Sequence, residues 1–421
     1  MSIMTISPDS AATGPSAGEN QPWDFWRLLD PRIRPEDWTD AIRGATRCLE
    51  GLPAVECGTE PHRLAADILN EIQFGPKHWH LSRLKQLYYR FVRPLLPDIL
   101  RTGLRTLILS RQRNGCTLNW PIEDRYVRFQ FETVARLMAK RHLNSISYVS
   151  FWPAGKQFAF VLTHDIEAGD GQSYAREIAA LEERYGFRSS FNFVPEKYRV
   201  DLDLIAELKE RGFEVGVHGL KHDGRLFSSK AVFDASAKRI NRYLKEWNAV
   251  GFRSPMTHRN PQWMQALEIE YDLSFFDTDP YEPMAGGTMS IWPFMMGRFV
   301  ELPYTLCQDH TLMITLAERT PRLWLEKVEF IRRCRGLALL NAHPDYLRDP
   351  GRRAIYEAFL KSMSERSDYW HALPREAARW WRARAAVNVG NGQIEKGHPA
   401  DDEFDFALGS IRIADEGGIA L

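Results

Sequence analysis

The stretch FAFVLTHDIE (158–167) is a short run of apolar and β-branched residues that ends abruptly in ionisable ones. Such a run is typical of a strand that is buried on both faces of a sheet. It is followed by SYAREIAALEERYG (173–186), which has a helical period and ends at a glycine that can close a helix. A second apolar run, SSFNFV (189–194), comes next. This order of strand, helix and strand predicts a parallel β-α-β unit.

The same alternation continues towards the C-terminus. Further predicted strands are FEVGVH (213–218), VGFRSP (250–255), LSFFDTD (273–279), FVELPY (299–304) and LALLNAH (337–343). Helical patterns lie between them at 203–212, 231–247, 260–272 and 321–336. About seven strands in a region of roughly 200 residues favour an α/β barrel over an open sheet. No GxGxxG turn follows the first strand, so a dinucleotide site is not indicated.

The composition indicates a soluble globular protein without a nucleic-acid partner. Among 421 residues, 55 are Lys or Arg and 55 are Asp or Glu, so the net charge is zero. Nucleic acids and anionic membranes both select for positive charge. No apolar run approaches the ~20 residues of a membrane span, and the N-terminus lacks the features of a secretory signal. Five scattered cysteines without a CxxC spacing fit a reducing compartment, and we expect a cytoplasmic protein.

The chain divides into four predicted regions. Residues 1–22 are predicted to be disordered, and residues 23–150 form a helical extension to which the sequence assigns no chemistry. Residues 151–385 form the barrel, and residues 386–421 form a polar C-terminal tail. Within the extension, 80–110 is a basic amphipathic helix pair broken near its prolines. Such a face can lie on a membrane surface, but packing against a neighbouring domain is the favoured interpretation.

Ionisable residues follow the predicted strands where each strand ends. They are Asp165 and Glu167, then His218 and His222, then Arg253, then Asp277 and Asp279, and finally His343. The carboxyl ends of the strands in a parallel barrel share one rim, and active sites occupy that rim. Because such groups are costly to bury without partners, we expect them to be each other's partners.

These residue types suit a divalent metal. His218 and His222, four residues apart, can face one cation from a helical turn, and Asp165 or Glu167 can add a carboxylate. Imidazole and carboxylate ligands with open positions favour Zn²⁺, and Co²⁺, Fe²⁺ and Ni²⁺ are also compatible. Taken singly, each signal has an ordinary alternative. A HxxxH pair is commonly surface or core histidine, a DxE pair can cap a helix, and the FDTDP segment can be a turn.

Four ordered motifs resemble those of the polysaccharide deacetylases, carbohydrate esterase family 4. They are THDIE (163–167), HGLKH (218–222), RSP (253–255) and LNAH (340–343). The resemblance covers about residues 156–350. It implies a distorted (β/α)7 barrel and a metal-dependent hydrolase that removes the acetyl group of an N-acetylated or O-acetylated carbohydrate, with an acetylated sugar or glycan as partner.

The resemblance also implies a role for each motif residue. Asp165 would be the general base, and Glu167, His218 and His222 would hold the metal. Arg253 would position Asp165, and His343 would be the general acid. This chain has Asp-Ile-Glu where the family has adjacent aspartates, so which acid binds the metal stays open, and His164 is an alternative ligand.

The segment FDTDPYEPMAGG (276–287) is a predicted substrate loop, with Asp279 and Tyr281 as candidate contacts. Two other functions stay open from the sequence. One is a metal-dependent amidase that acts on a non-sugar amide. The other is a non-catalytic carbohydrate-binding or scaffold protein with a decayed site. The sequence leaves the oligomeric state open.

Overall fold

The computed structural model describes residues 20–52, 60–75, 78–92, 117–284, 286–390, 393–395, 404–413 and 419–421. Of residues 1–22, which are predicted to be disordered, residues 1–19 lie outside these ranges, whereas Pro22 begins a helix. Most of the helix pair predicted at 80–110 also lies outside them. Cys57 and Cys116 also lie outside them. None of the helices in the described ranges combines the length and the apolar character needed to cross a bilayer.

A curved sheet of parallel strands forms the centre of the structure. The strands are β1 (Phe158–Ile166), β2 (Ser190–Phe193), β3 (Glu214–His218), β4 (Gly251–Arg253), β5 (Tyr271–Asp272), β6 (Phe299–Glu301) and β7 (Leu337–Ala342). They lie in the order β7-β1-β2-β3-β4-β5-β6, and each neighbouring pair is parallel. Every residue in them is buried, as expected of a parallel sheet that is covered on both faces.

The chain beyond β6 closes this sheet into a barrel. The backbone N–H groups of Thr305 and Leu306 donate to the carbonyl oxygen of Leu339 in β7, at 3.2 and 3.1 Å. On its other side the same segment meets Phe276 through Tyr304. The closure therefore consists of single bridges and not of a long ladder, which makes the barrel irregular. The predicted distorted (β/α)7 barrel with a helical N-terminal extension is confirmed.

Helices cover the outside of the barrel. They are α1 (Gly169–Arg184), α2 (Leu202–Glu210), α3 (Lys230–Glu246), α4 (Pro261–Met264) and α5 (Arg322–Arg333), followed after β7 by α6 (Pro350–Ser364) and α7 (Pro374–Ala386). The sequence did not indicate α6, α7 or the strand Tyr369–His371, which pairs in parallel with the start of β1. The predicted helix 260–272 is confined to α4, because the chain must enter β5 at Tyr271.

The predicted strand 273–279 is wrong. The β5 ladder covers Tyr271 and Asp272 alone, and the following residues have irregular backbone. Side chains replace part of the ladder: the N–H of Phe275 donates to the Glu301 carboxyl at 3.1 Å, and the N–H of Ser274 donates to Asp272 at 3.1 Å. The apolar residues here are buried by the barrel without forming a regular strand.

The N-terminal region packs against the barrel and shares its apolar core. Its helices are Pro22–Trp26, Pro35–Ala45, Pro61–Leu69, Arg83–Leu87 and Arg125–Lys140, with a π-helical turn at Tyr88–Val92. The strand Ser145–Val149 pairs antiparallel with Leu28–Leu29 and with Leu408–Ile413, so the described part of the C-terminal tail joins this region.

A buried ion pair ties the N-terminal region to the barrel. Glu71 and Arg259 are both fully buried, and the Arg259 Nε donates to the Glu71 carboxylate at 2.8 Å. The same carboxylate accepts the backbone N–H of Gly287 at 2.7 Å, and the Gln73 amide donates to the Gly287 carbonyl at 3.0 Å. Removing one partner of such a pair would leave a buried charge unpaired. The N-terminal region thus fixes the loop that precedes residue 288.

Two carboxyl groups face each other inside the barrel, where Asp272 of β5 is the register partner of Glu301 of β6. Burial and the negative charge of Asp272 raise the pKa of Glu301 well above its usual value, so the folded protein holds a proton there. A folded-state pKa above the unfolded one gives stability that is present at low pH and lost as pH rises through the folded pKa. We therefore expect Glu301→Gln to stabilise the protein at neutral pH by on the order of 1–3 kcal/mol.

Thermal unfolding measured from pH 5 to pH 8 (about the range in which proteins are usually most stable) tests this expectation. The melting temperature of the wild type should fall relative to that of Glu301→Gln as the pH rises. The matched control is Glu268→Gln, because Glu268 is exposed. Parallel curves for the wild type and Glu301→Gln would contradict the expectation.

Candidate functional site

The candidate site lies at the carboxyl end of the barrel, where β1 ends in Asp165 and Ile166 and Glu167 follows. Successive side chains of a strand point to opposite faces. Asp165 is buried and shares its face with Thr163, while His164 points the other way. Glu167 lies just beyond the strand, and its side chain is 25% exposed.

His164 is not directed towards the other ionisable residues. Its Nδ1 lies 3.2 Å from the carbonyl oxygen of Ala342, and its Nε2 lies 2.7 Å from the Glu182 carboxylate. Glu182 also accepts the Ser189 hydroxyl at 2.6 Å. Both ring nitrogens therefore already face oxygen acceptors on the outside of β1, and this geometry does not support His164 as a metal ligand.

His218 is the last residue of β3, and His222 follows in a loop. The predicted helical turn is wrong: Gly219 and His222 both have left-handed backbone, with φ of 62° and 53°. A Cβ atom at Gly219 would lie 2.4 Å from Pro255, so only glycine fits there. The loop nevertheless brings the two imidazoles together, with ring centroids 5.1 Å apart.

Glu167, His218 and His222 converge on one point. Each offers one ligand atom, and these atoms all lie within 4.8 Å of one another. The Nε2 of His222 is 2.9 Å from the Glu167 carboxylate. Two imidazoles and one carboxylate are the donor set of many divalent metal sites that keep positions open for water.

The surroundings of His218 suit a metal ligand. Its Nδ1 donates to the carbonyl oxygen of Arg253 at 3.1 Å, which fixes the orientation of the ring. Its Nε2 is buried and has no hydrogen-bond partner among the described residues. Burial lowers the pKa of His218 to about 4, against the opposing effect of the Asp165 carboxylate, so the ring is neutral. A neutral imidazole with a free lone pair is the form that binds metals.

Asp165 is held by two amides and a guanidinium. Asn192 and Asn341 donate to its two carboxylate oxygens at 3.1 and 3.0 Å, and the Nε of Arg253 lies 3.7 Å away. Burial raises the pKa of Asp165, but the basic side chains of His218 and Arg253 outweigh burial and bring the pKa below its usual value. With the His218 ring neutral, the positive charges near Asp165 are those of Arg253 and the protonated His343, and they keep the carboxylate ionised.

Arg253 and His343 are each fixed by a second partner. Arg253 is buried, and its Nη2 donates to the Thr163 hydroxyl at 3.0 Å. His343 pairs with Asp309, whose carboxylate lies 2.7 Å from Nδ1 and accepts the backbone N–H of His343 at 2.7 Å. Burial alone would lower the pKa of His343, but the Asp309 charge raises it to about 10. The Nε2 of His343 lies 3.7 Å from Glu167.

Sequence reasoning missed Asp309. This residue follows the segment that closes the barrel, far from the four motifs in the chain, and no strand pattern ends at it. An aspartate close to the closing segment of a barrel is a weak signal, and only the folded chain shows that it reaches His343.

The residues of the predicted substrate loop differ in the groups that they contact. Asp277 is buried and pairs with Lys327 at 2.7 Å, which explains its position without a role at the site. Asp279 is buried, and its Oδ1 accepts the backbone N–H of Tyr281 at 2.9 Å, as in a turn. The ring of Tyr281 meets that of Trp120 edge-on, with centroids 5.3 Å apart. Substrate contacts by Asp279 and Tyr281 remain a prediction.

A row of polar side chains connects this loop to Asp165. The Gln308 amide donates to Glu282 at 2.6 Å and accepts from Asn341 at 3.2 Å, and Asn341 also donates to Asp165. We refer to Glu282, Gln308 and Asn341 as the rim chain. The rim chain couples the position of the loop to that of the Asp165 carboxylate.

No protein-family model matches the chain, and the search of curated proteins found no match to its sequence. Solved structures do resemble it. One is a protein from Mycobacterium smegmatis that is provisionally assigned as a polysaccharide deacetylase, with 20% identity, a TM-score of 0.47, and coverage of 59% of this chain and 96% of that one. Another is an allantoinase, with 15% identity, a TM-score of 0.44, and coverage of 56% and 93%.

A third is a carbohydrate esterase family 4 pseudoenzyme from Bacillus anthracis, with 13% identity, a TM-score of 0.37, and coverage of 54% and 66%. Two of these three structures carry the name of the family that the sequence motifs resemble. The three proteins are named as a polysaccharide deacetylase, an allantoinase and a pseudoenzyme.

Proposed function

We propose that this chain is a metal-dependent hydrolase that removes the acetyl group of an N-acetylated or O-acetylated carbohydrate. The observation that carries the proposal is the convergence of Glu167, His218 and His222 on one point, next to Asp165 and His343. A ligand set, a candidate base and a candidate acid thus lie together at one rim of the barrel.

Glu167, His218 and His222 would hold the metal, for which Zn²⁺ is the first choice and Co²⁺, Fe²⁺ and Ni²⁺ are compatible. When bound, such an ion polarises the substrate carbonyl and lowers the pKa of a bound water towards 7 or so. A histidine that binds a metal ion must be neutral, with a lone pair available on one ring nitrogen. The neutral ring of His218 fits this requirement, because its Nδ1 is fixed on the Arg253 carbonyl oxygen and its Nε2 is buried. The Glu167 carboxylate supplies the negative charge in the ligand set.

Asp165 would take the proton of the attacking water. Its carboxylate is kept ionised by Arg253 and oriented by Asn192 and Asn341, so one oxygen can accept a proton without losing its position. His343 would give a proton to the leaving amine or alcohol. The Asp309 carboxylate orients its ring and stabilises the protonated form, and it leaves Nε2 directed towards Glu167.

The carbohydrate substrate comes from the motif resemblance, and the cytoplasmic location from the sequence. Together they suggest a small or lipid-linked glycan precursor as the substrate. Asp279 and Tyr281 are the residues we propose for substrate contact, because they belong to the loop that the rim chain connects to Asp165.

Elemental analysis combined with an acetate-release assay tests the proposal. We expect purified protein to carry about one divalent ion per chain, and to release acetate from N-acetylglucosamine oligosaccharides with one free amine formed for each acetate. Removal of the metal by a chelator should abolish release, and adding Zn²⁺ should restore it.

Simple amides and acetylated sugars are compared in the same assay. Hydrolysis of simple amides alone would assign the site to an amidase. Protein that binds no metal and releases no acetate, yet binds the oligosaccharides, would be a carbohydrate-binding protein with a decayed site. Either outcome would contradict the deacetylase.

A further inference from the structure

An apolar face lies exposed on the helical segment 83–92, which the proposed chemistry does not use. Leu84 is 80% exposed, Leu87 52%, Phe91 54% and Val92 46%. Steps of three and four residues place Leu84, Leu87 and Phe91 on one side of the segment. Large apolar side chains that remain together in water mark a surface that binds something apolar.

The sequence around this face is strongly basic. Residues 83–113 contain Arg83, Lys85, Arg90, Arg93, Arg101, Arg105, Arg111 and Arg113, against the single acid Asp98, in a chain whose net charge is zero. Arg83 is exposed at the start of the helix. Apolar and basic residues in one amphipathic stretch are typical of segments that bind at the boundary of an anionic bilayer. An apolar groove on a protein partner would not require this excess of positive charge.

This face lies beside the loop of the candidate site. The Lys85 Nζ donates to the carbonyl oxygen of Pro283 at 3.0 Å. Pro283 directly follows Glu282, the first member of the rim chain that leads to Asp165. The exposed segment and the proposed base are therefore connected through Pro283 and the three hydrogen-bonded side chains of the rim chain.

We propose that segment 83–92 binds an anionic lipid bilayer, with Leu84, Leu87 and Phe91 at the acyl boundary and Arg83 among the headgroups. The binding does not depend on the hydrolytic chemistry proposed above. It would hold the candidate site next to a substrate that is carried in a membrane. A soluble substrate would not require such binding.

Co-sedimentation of the full-length, metal-loaded protein with lipid vesicles tests the proposal. Vesicles of phosphatidylcholine alone are compared with vesicles that contain about one part phosphatidylglycerol to two parts phosphatidylcholine. We expect the wild type to bind the anionic vesicles. The triple variant Leu84→Ser/Leu87→Ser/Phe91→Ser, which we call the segment variant, should bind them at least about tenfold more weakly. Binding of the wild type should weaken as the salt concentration is raised. At low salt, Arg83→Glu should bind the anionic vesicles more weakly than the wild type.

The matched control is Leu202→Ser/Val232→Ser/Leu408→Ser, because these residues are exposed and apolar on other elements of the fold. This variant should bind the anionic vesicles as the wild type does. Acetate release from a soluble sugar by the segment variant should equal that of the wild type, so failure of lipid binding is distinguishable from failure of the deacetylase.

The proposal would be overturned if the wild type did not bind anionic vesicles. It would also be overturned if the segment variant and the control variant bound these vesicles equally. A concentration-dependent dimer that only the segment variant abolishes, with no vesicle binding, would assign the face to a second copy of this chain.

Discussion

Replacing His218 with alanine should remove the metal and the activity together. Two imidazoles and one carboxylate converge in the site, and this variant leaves one imidazole and one carboxylate, too few to hold a divalent ion tightly. We expect the metal content to fall from about one ion per chain to near zero, and kcat/KM for acetate release to fall by at least about 10³-fold.

The structural cost of this change should be small in comparison. The ring of His218 makes one hydrogen bond, to the Arg253 carbonyl, and its loss should cost on the order of 1 kcal/mol. Circular dichroism and thermal unfolding of the metal-free proteins check that the variant folds. His142→Ala is the matched control, because His142 is exposed and remote in sequence from the motifs. Retention of metal at wild-type affinity by His218→Ala would remove His218 from the ligand set.

The positions of the strand ends could be predicted because short apolar runs indicate buried strands. A short apolar run such as FAFVLT (158–163) is typical of a strand buried inside a sheet, and parallel strands bring their carboxyl ends to one rim. This reasoning placed Asp165, His218 and His343 at the same end of the barrel, and the structure brings them to one site.

The local geometry of the site could not be predicted in the same way. The spacing of His218 and His222 indicated a helical turn, but Gly219 and His222 have left-handed backbone, and a Cβ atom at Gly219 would lie 2.4 Å from Pro255. The pairing of Asp309 with His343 depends on how the barrel closes, and closure involves backbone without a regular pattern. Such features follow from tertiary contacts, which local sequence patterns do not encode.

The hydrogen-bond partners in the irregular stretch after β5 also could not be predicted from the sequence. LSFFDTD (273–279) has the composition of a buried strand, yet its N–H groups at Ser274 and Phe275 bond to the carboxyl groups of Asp272 and Glu301. Burial can be predicted from apolar residues, whereas the partner of each buried N–H cannot. Glu71 likewise lies in a helical region with no motif, and its pairing with Arg259 emerges only on folding.

Asp165→Asn should separate the metal from the chemistry. Asparagine has the shape of aspartate, so the positions of Glu167, His218 and His222 should be kept and the metal content should stay near that of the wild type. The amide cannot accept the proton of the attacking water at neutral pH, and we expect kcat to fall by about 10²–10⁴-fold. Elemental analysis and acetate release on the same sample measure both quantities.

The surroundings of Asp165 also predict a cost in stability. Its two oxygens accept from Asn192 and Asn341, and the new amide would direct its NH2 group at one of these donors. Arg253 would lose its nearby carboxylate as well, so the free energy of unfolding should fall by on the order of 1–3 kcal/mol. Asp170→Asn is the matched control, because Asp170 is exposed.

Glu167→Gln completes the comparison, because it removes the carboxylate that lies 2.9 Å from His222 while Asp165 is kept. If Glu167 is the ligand, this variant loses the metal and Asp165→Asn keeps it. The reverse result, with metal lost from Asp165→Asn and retained by Glu167→Gln, would exchange the two roles. Since Asp165 is held by two amides and a guanidinium, while Glu167 lies 2.9 Å from His222 and 3.7 Å from His343, we expect Glu167 to bind the ion.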